Sequence, residues 1–336
     1  MAAQRHHYIP QFLLKGFACR ITNKAHFVFR FAKGGKPHEV NTINVGVARS
    51  FHDGLSADLE QRISFRESNY ATALENLRKQ NARADDVVLI AECVFNLMVR
   101  TKHLRDGFTI LTNEVFGLLD TPDAQRALRN RALGDFAARP EIAALLNRYP
   151  KKRHERILLT EMTKHGIDLR AEYRRIWDII KARVDVAQFV KHAHLGALET
   201  EGIPEPRKDS FLNYHWYIDH QPLGSLILGD VGPLARVPDV DQLTFPYGFG
   251  IPLMVCLPIS SGELLVGTVR SECEELSADE VNWASAELSR DFFVASRNTT
   301  RERGYLQRLG SRAAWLPKAD ILRLFEEVLE EFEHGK

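Results

Sequence analysis

Side chains alternate along residues 26–32, where Phe27, Phe29 and Phe31 fall on one side of an extended chain and predict a strand. Gly34-Gly35-Lys36-Pro37 is a turn, and residues 40–47 predict a second strand that pairs back across it. Another turn is expected at Asp53-Gly54. From Ser56 to about Gln80 the spacing lengthens, and Leu59, Ile63, Tyr70, Leu74 and Leu77 keep the period of a helix with Ser56 as N-cap. Leu59 stands where a capping box would carry Glu. Asp85 or Asp86 opens the next helix. Its apolar positions are Val88, Ala91, Phe95, Met98 and Val99, and it is expected to end near the basic run from Arg100 to Arg105.

Residues 108–200 read as almost wholly helical, with breaks at Thr121-Pro122, Arg139-Pro140 and Tyr149-Pro150. Within them, residues 169–199 predict a long amphipathic helix carrying Trp177, Ile180, Val184, Phe189 and Val190. The strongest linker signal is Gly202-Ile203-Pro204-Glu205-Pro206. Beyond it the pattern shortens to β-like runs at residues 216–218, 226–228, 253–257 and 264–267. Ser277 and Glu280 form S-x-x-E ahead of a helix over 277–289, and residues 292–295 predict a last strand before helices near 300–309 and 318–333. The expected fold is α+β. It is predominantly helical, with a small mixed or antiparallel sheet that joins the N-terminal strands to the C-terminal ones. We expect one domain over 1–336: a helical middle at about 55–200, a strand-rich part at about 211–296, and C-terminal helices at 300–334.

Composition narrows the class. A chain of 336 residues with 44% hydrophobic and 26% charged positions has the balance of a soluble globular protein with a real core. No apolar run approaches the roughly 18 residues of a membrane span. The start, Met1 to His7, lacks the apolar core of a secretory signal. Cys19, Cys93, Cys256 and Cys273 show no C-x-x-C spacing and read as reduced thiols, so the expected compartment is the cytoplasm. A net charge of +1 exerts no global pull on nucleic acid, which would need a local basic patch. The phosphate loop, the G-x-S-x-G nucleophile elbow and H-E-x-x-H are all absent from the sequence.

The stretch with most chemistry is Arg5-His6-His7-Tyr8-Ile9-Pro10-Gln11-Phe12-Leu13-Leu14-Lys15-Gly16-Phe17. Pro10 drives Ile9 toward an extended conformation and suits the first turn of a following helix. Phe12, Leu13, Leu14 and Phe17 form that helix's apolar stripe, with Gly16 weakening its end. On an extended arm His6 and His7 point to opposite faces, so only one enters a given site unless the backbone bends.

This opening resembles the signature that begins the DUF4238 family of mainly microbial proteins. The order of later features is similar too: Phe27 and Phe29, Asn44-Val45, Phe51, the glutamates Glu60 and Glu67, Leu228-Gly229-Asp230-Val231-Gly232-Pro233, Ile251 to Pro258, Asn282 and residues 292–295. Val231-Gly232 departs from the family's usual Asn before Pro. The resemblance implies a shared architecture and no particular reaction.

Glu60 and Glu67 lie seven residues apart, so both project from one helix face, about 10 Å apart along its axis. Asn96 and Arg100 share a face of the next helix. With His6 or His7 beside Glu67 and Asp230, two chemistries follow. Glu60, Glu67 and Asp230 with one imidazole would hold a divalent metal ion whose water attacks a phosphodiester. Alternatively, the histidine is itself the general acid or base, oriented by Glu67 or Asp230. In both, Lys15, Arg100, Asn96 and Gln11 would hold the phosphate. The expectation is a nuclease or phosphodiesterase, a toxin or phage-defence effector, acting on RNA rather than DNA. The alternative is a non-catalytic ligand- or partner-binding protein, free to form homo-oligomers, whose His/Glu/Arg cluster is a structural network.

Overall fold

The computed structural model describes residues 5–49, 59–119, 121–168, 210–238, 240–246, 252–269 and 275–313, with a few single positions between 175 and 196. It divides into two compact units, Met1–Asp106 with His192–Trp315, and Gly107–Lys191 with Leu316–Lys336. Among the described residues no helix is long and apolar enough to cross a membrane. Ser56, Cys273, most of the helix expected over 169–199 and the helix expected over 318–333 lie outside the described residues.

In the first unit, strand β1 (Arg5–His7) leads through Pro10 into helix α1 (Gln11–Lys15). Strands β2 (Arg20–Thr22), β3 (Ala25–Ala32) and β4 (His38–Asn41) follow. Residues 40–47 are not the one strand that their pattern suggests. The Asn41 side chain accepts the Ile43 N–H at 3.2 Å and starts a 3-10 turn over Thr42–Asn44. Gly46, at φ +60°, then turns the chain away from β3, and β5 (Val47–Arg49) pairs with β1 instead.

Helices α2 (Leu59–Arg78) and α3 (Ala84–Arg100) form a packed pair. The α3 start is fixed by Asp86, which accepts the Arg83 N–H at 2.9 Å and the Asn76 side-chain amide at 3.0 Å. Arg78 reaches from the end of α2 to both carboxylate oxygens of Glu263, with bonds of 2.9–3.1 Å. The basic run after Arg100 does not simply end a helix. Thr101 breaks the chain at ψ 140°, and its hydroxyl accepts the Leu104 N–H at 3.3 Å, so helix α4 (Lys102–Leu119) restarts at once.

The second unit's described part continues with α5 (Pro122–Ala137), α6 (Pro140–Leu146), a 3-10 turn over Lys151–Arg153, and α7 (His154–Lys164). Its breaks fall at the three proline sites expected from sequence. Leu133, Phe136, Ile142, Leu146, Leu158 and Met162 make its core.

The chain then returns to the first unit. Strands β6 (His215–His220), β7 (Ile227–Gly229), β8 (Leu234–Arg236), β9 (Met254–Ser260) and β10 (Glu263–Thr268) precede helix α8 (Ala278–Leu288), strand β11 (Phe292–Ala295) and helix α9 (Thr300–Gln307). As expected, N- and C-terminal strands share a sheet: the order is β2-β3-β11-β7, with β4 on the other edge of β3. Phe31 and Phe293 face each other in register across β3 and β11, their rings stacked 4.7 Å apart. A second sheet runs β6-β10-β9-β8, and every described pairing is antiparallel.

Gly16 and Gly229 are among the glycines that set close approaches. Gly16 lets the end of α1 abut β9, where an added Cβ would lie 2.4 Å from the Ile259 carbonyl. It therefore serves packing as well as weakening the helix. Gly229 packs β7 on α8, where a Cβ would lie 2.1 Å from Ser289 Oγ and 2.7 Å from the Ser285 carbonyl. A Gly229→Ala variant should lose about 1–3 kcal/mol through overpacking. An unchanged urea midpoint would show that α8 can retreat without cost.

Candidate functional site

The helical and strand pattern assembles a polar cluster around Arg100. This guanidinium sits at the last residue of α3 and is only 2% exposed. Its Nη1 donates to Glu67 on α2, and its Nη2 donates to the backbone carbonyl of His7 on β1. A buried charge needs a counter-charge and acceptors, and this one has both.

The two adjacent histidines separate as an extended arm requires. His6 is buried and His7 half-buried. Gln11, in the first turn of α1, donates its Nε2 to the Thr42 carbonyl at 3.0 Å and lies 3.2 Å from His7 Nδ1. A carbonyl only accepts, so Thr42 fixes which end of the Gln11 amide is nitrogen. That nitrogen can only donate, and His7 Nδ1 must accept from it. The neutral His7 ring therefore carries its hydrogen on Nε2. Lys15 is exposed one turn after Gln11 on the same short helix. Asn96 is half-buried one turn before Arg100.

Asp230 follows β7 and is 4% exposed. Its carboxylate accepts three backbone N–H groups, from Arg290 at 2.8 Å, Asp291 at 2.8 Å and Phe292 at 3.2 Å. It thus caps the turn that leads into β11. Burial pushes its pKa up to about 6, against the pull of these donors.

The structure thus brings His7, Gln11, Glu67 and Arg100 together. Asp230 makes its described bonds to the 290–292 backbone. The Glu60 side chain lies outside the described residues, and among those described no group of three or more His, Cys, Asp or Glu is placed to hold a metal ion.

Sequence reasoning missed the residues around Asp230. Tyr8 is buried, and its hydroxyl pKa is raised by that burial, with Asp230 and Asp291 adding to the effect. Lys102 pairs with Asp291 at 2.8 Å, and Arg290 with Asp106 at 3.3 Å. Beside them His103 is 3% exposed and stacks on Phe245 with ring centroids 4.3 Å apart. Among the described residues neither of its ring nitrogens has a hydrogen-bond partner. Burial, with Arg290 nearby, pushes its pKa down to about 4. Only Tyr8 carried a sequence signal, as the residue directly after the two histidines.

A family model described as "protein of unknown function (DUF4238)" matches residues 5–303. No curated protein and no solved structure matches the chain.

Proposed function

We propose, from the premise that the chain belongs to the DUF4238 family, that it works by binding a partner and that its N-terminal polar cluster fastens the arm carrying that family's opening motif. The observation that carries this reading is Arg100, which is buried and ties α2 to the His7 backbone. The groups a hydrolase would use are already engaged. Glu67 neutralises Arg100, Asp230 accepts three backbone N–H groups, and the lone pair of His7 Nδ1 faces Gln11. A general base needs a free lone pair near its substrate.

A second reading, a phosphodiesterase or nuclease, is favoured by one arrangement. The exposed ammonium of Lys15 lies one turn from the amide that contacts the half-buried His7 ring. A cation one turn from a residue that contacts an imidazole suits a phosphate.

The two readings separate in one experiment. Purified protein is incubated with RNA and with DNA, with and without Mg²⁺ or Mn²⁺, alongside His7→Ala and Glu67→Gln. Under the binding reading no nucleolytic activity follows the protein through purification, and both variants melt below the parent. Cleavage that His7→Ala abolishes at an unchanged melting temperature would overturn it in favour of the phosphodiesterase.

A further inference from the structure

We propose that the exposed turn from Arg148 to Arg156 in the second unit is a docking surface for single-stranded nucleic acid, in which cations contact the phosphates and Tyr149 stacks on a base. The inference stands whether the N-terminal cluster fastens or catalyses, because it uses none of the same residues.

Five cations crowd this turn: Arg148, Lys151, Lys152, Arg153 and Arg156, all exposed. None of their side chains has a hydrogen-bond or ion-pair partner among the described residues. The one carboxylate in the stretch, Glu155, is taken by Arg129 at 2.5 Å. A chain with a net charge of +1 has concentrated uncompensated positive charge at one place. Charge runs on a helix face usually alternate in sign or pair with neighbours one turn away. This one does neither.

The turn is also held in shape. The Tyr149 N–H donates to the Leu146 carbonyl at 2.9 Å, and the Arg153 N–H to the Pro150 carbonyl at 2.9 Å. His154 Nε2 lies 2.9 Å from the Tyr149 carbonyl, which can only accept, so the ring donates there. The cations are thus presented from a braced backbone, which lowers the entropy lost on binding.

Tyr149 selects the class of partner. It is 43% exposed in the middle of the cations. A flat aromatic among positive charges fits an unpaired base with its flanking phosphates, the combination by which single strands are held without sequence preference. A membrane surface fits less well, since interfacial helices insert an apolar face. The apolar residues of α7 are already spent on the core of Leu133, Phe136, Ile142 and Leu146: Leu158 and Met162 are buried in it, and Ile157 and Leu159 pack against it half-buried.

The test is fluorescence anisotropy of the full chain with a short single-stranded RNA, the matching single-stranded DNA and the duplex, titrated across salt. Vesicles of phosphatidylserine and phosphatidylcholine form a parallel arm. Binding to either single strand supports the proposal, and the tighter of the two identifies the natural source. The expected slope of log affinity against log salt is about −2 to −3.5, the range for three to five phosphate contacts on a single strand. Lys151→Glu/Lys152→Glu/Arg153→Glu should weaken binding at least about thirtyfold at near-physiological salt. Tyr149→Ala should weaken it about tenfold. The neutral triple Lys151→Gln/Lys152→Gln/Arg153→Gln guards against misfolding of the charge-reversed protein and should lose most of the affinity with an unchanged melting curve. No binding to either strand, equal affinity in the triple variants, or capture by the anionic vesicles in place of the oligonucleotides would overturn the proposal.

Discussion

An Arg100→Ala variant should lose about 3–5 kcal/mol of stability, the range for removing one partner of a buried ion pair. Two contacts are lost at once. Glu67, with a side chain 21% exposed, loses the guanidinium beside it, and the His7 carbonyl loses the Arg100 Nη2 donor. Arg100→Lys should recover only part of the loss, since one ammonium does not reproduce a fork that reaches two acceptors on different elements. Glu67→Gln should cost less than Arg100→Ala, because an amide oxygen still accepts from Nη1. Urea unfolding gives the magnitude, and hydrogen exchange gives the location. The Tyr8 N–H, which donates to the Gly46 carbonyl at 2.8 Å, should exchange faster in Arg100→Ala than amides in the β9–β10 pair. If Arg100→Ala unfolds at the parent's midpoint and the arm stays protected, Arg100 does not fasten it.

How much of this was legible in the sequence depends on the range of the interaction concerned. The helix α8 was readable because its start signal is local: Ser277 accepts the Glu280 N–H at 3.1 Å. Strand β11 was readable because Phe292 to Ala295 is an apolar run bounded by polar residues. The cluster of His7, Gln11, Glu67 and Arg100 was half-readable. Helical spacing put the last two on usable faces, but it does not say that Arg100 takes the His7 carbonyl rather than its ring. The bonds of Asp230 were out of reach. Its donors are backbone N–H groups of residues 290–292, and backbone groups leave no trace in side-chain pattern. His103 was hidden for a different reason. It lies in a basic run that composition reads as solvated, and Phe245, far along the chain, covers it. The break at Asn41 and Gly46 was written in the sequence by two residues that favour caps and left-handed backbone, but the apolar spacing of residues 40–47 masked it.

Asp230 and His103 should give stability two opposing pH dependences that overlap in one window. Asp230 has its folded pKa raised from 3.8 to about 6, so the native state holds that proton more tightly than the unfolded chain does. Its contribution is full below about pH 4 and is lost as pH rises through about 6. His103 has its folded pKa lowered from 6.5 to about 4, so the unfolded chain binds that proton more tightly. Its contribution is present above about pH 6.5 and is lost as pH falls toward about 4. Each change is on the order of 3 kcal/mol across its window, and the signs are opposite. The charges around both groups, Lys102, Asp106, Arg290 and Asp291, pair among themselves. The parent's stability should therefore vary little between about pH 4 and 6 on their account. Asp230→Asn should expose the His103 slope, with urea midpoints that climb as pH rises from 4 to 6.5. His103→Leu should expose the Asp230 slope, with midpoints that fall over nearly the same range. The absolute stability of Asp230→Asn will also drop, since an amide nitrogen would face N–H donors. The slope is thus the readout that a merely structural loss would not move. Parallel pH profiles for the parent and both variants would show that neither group titrates between those values in the folded chain.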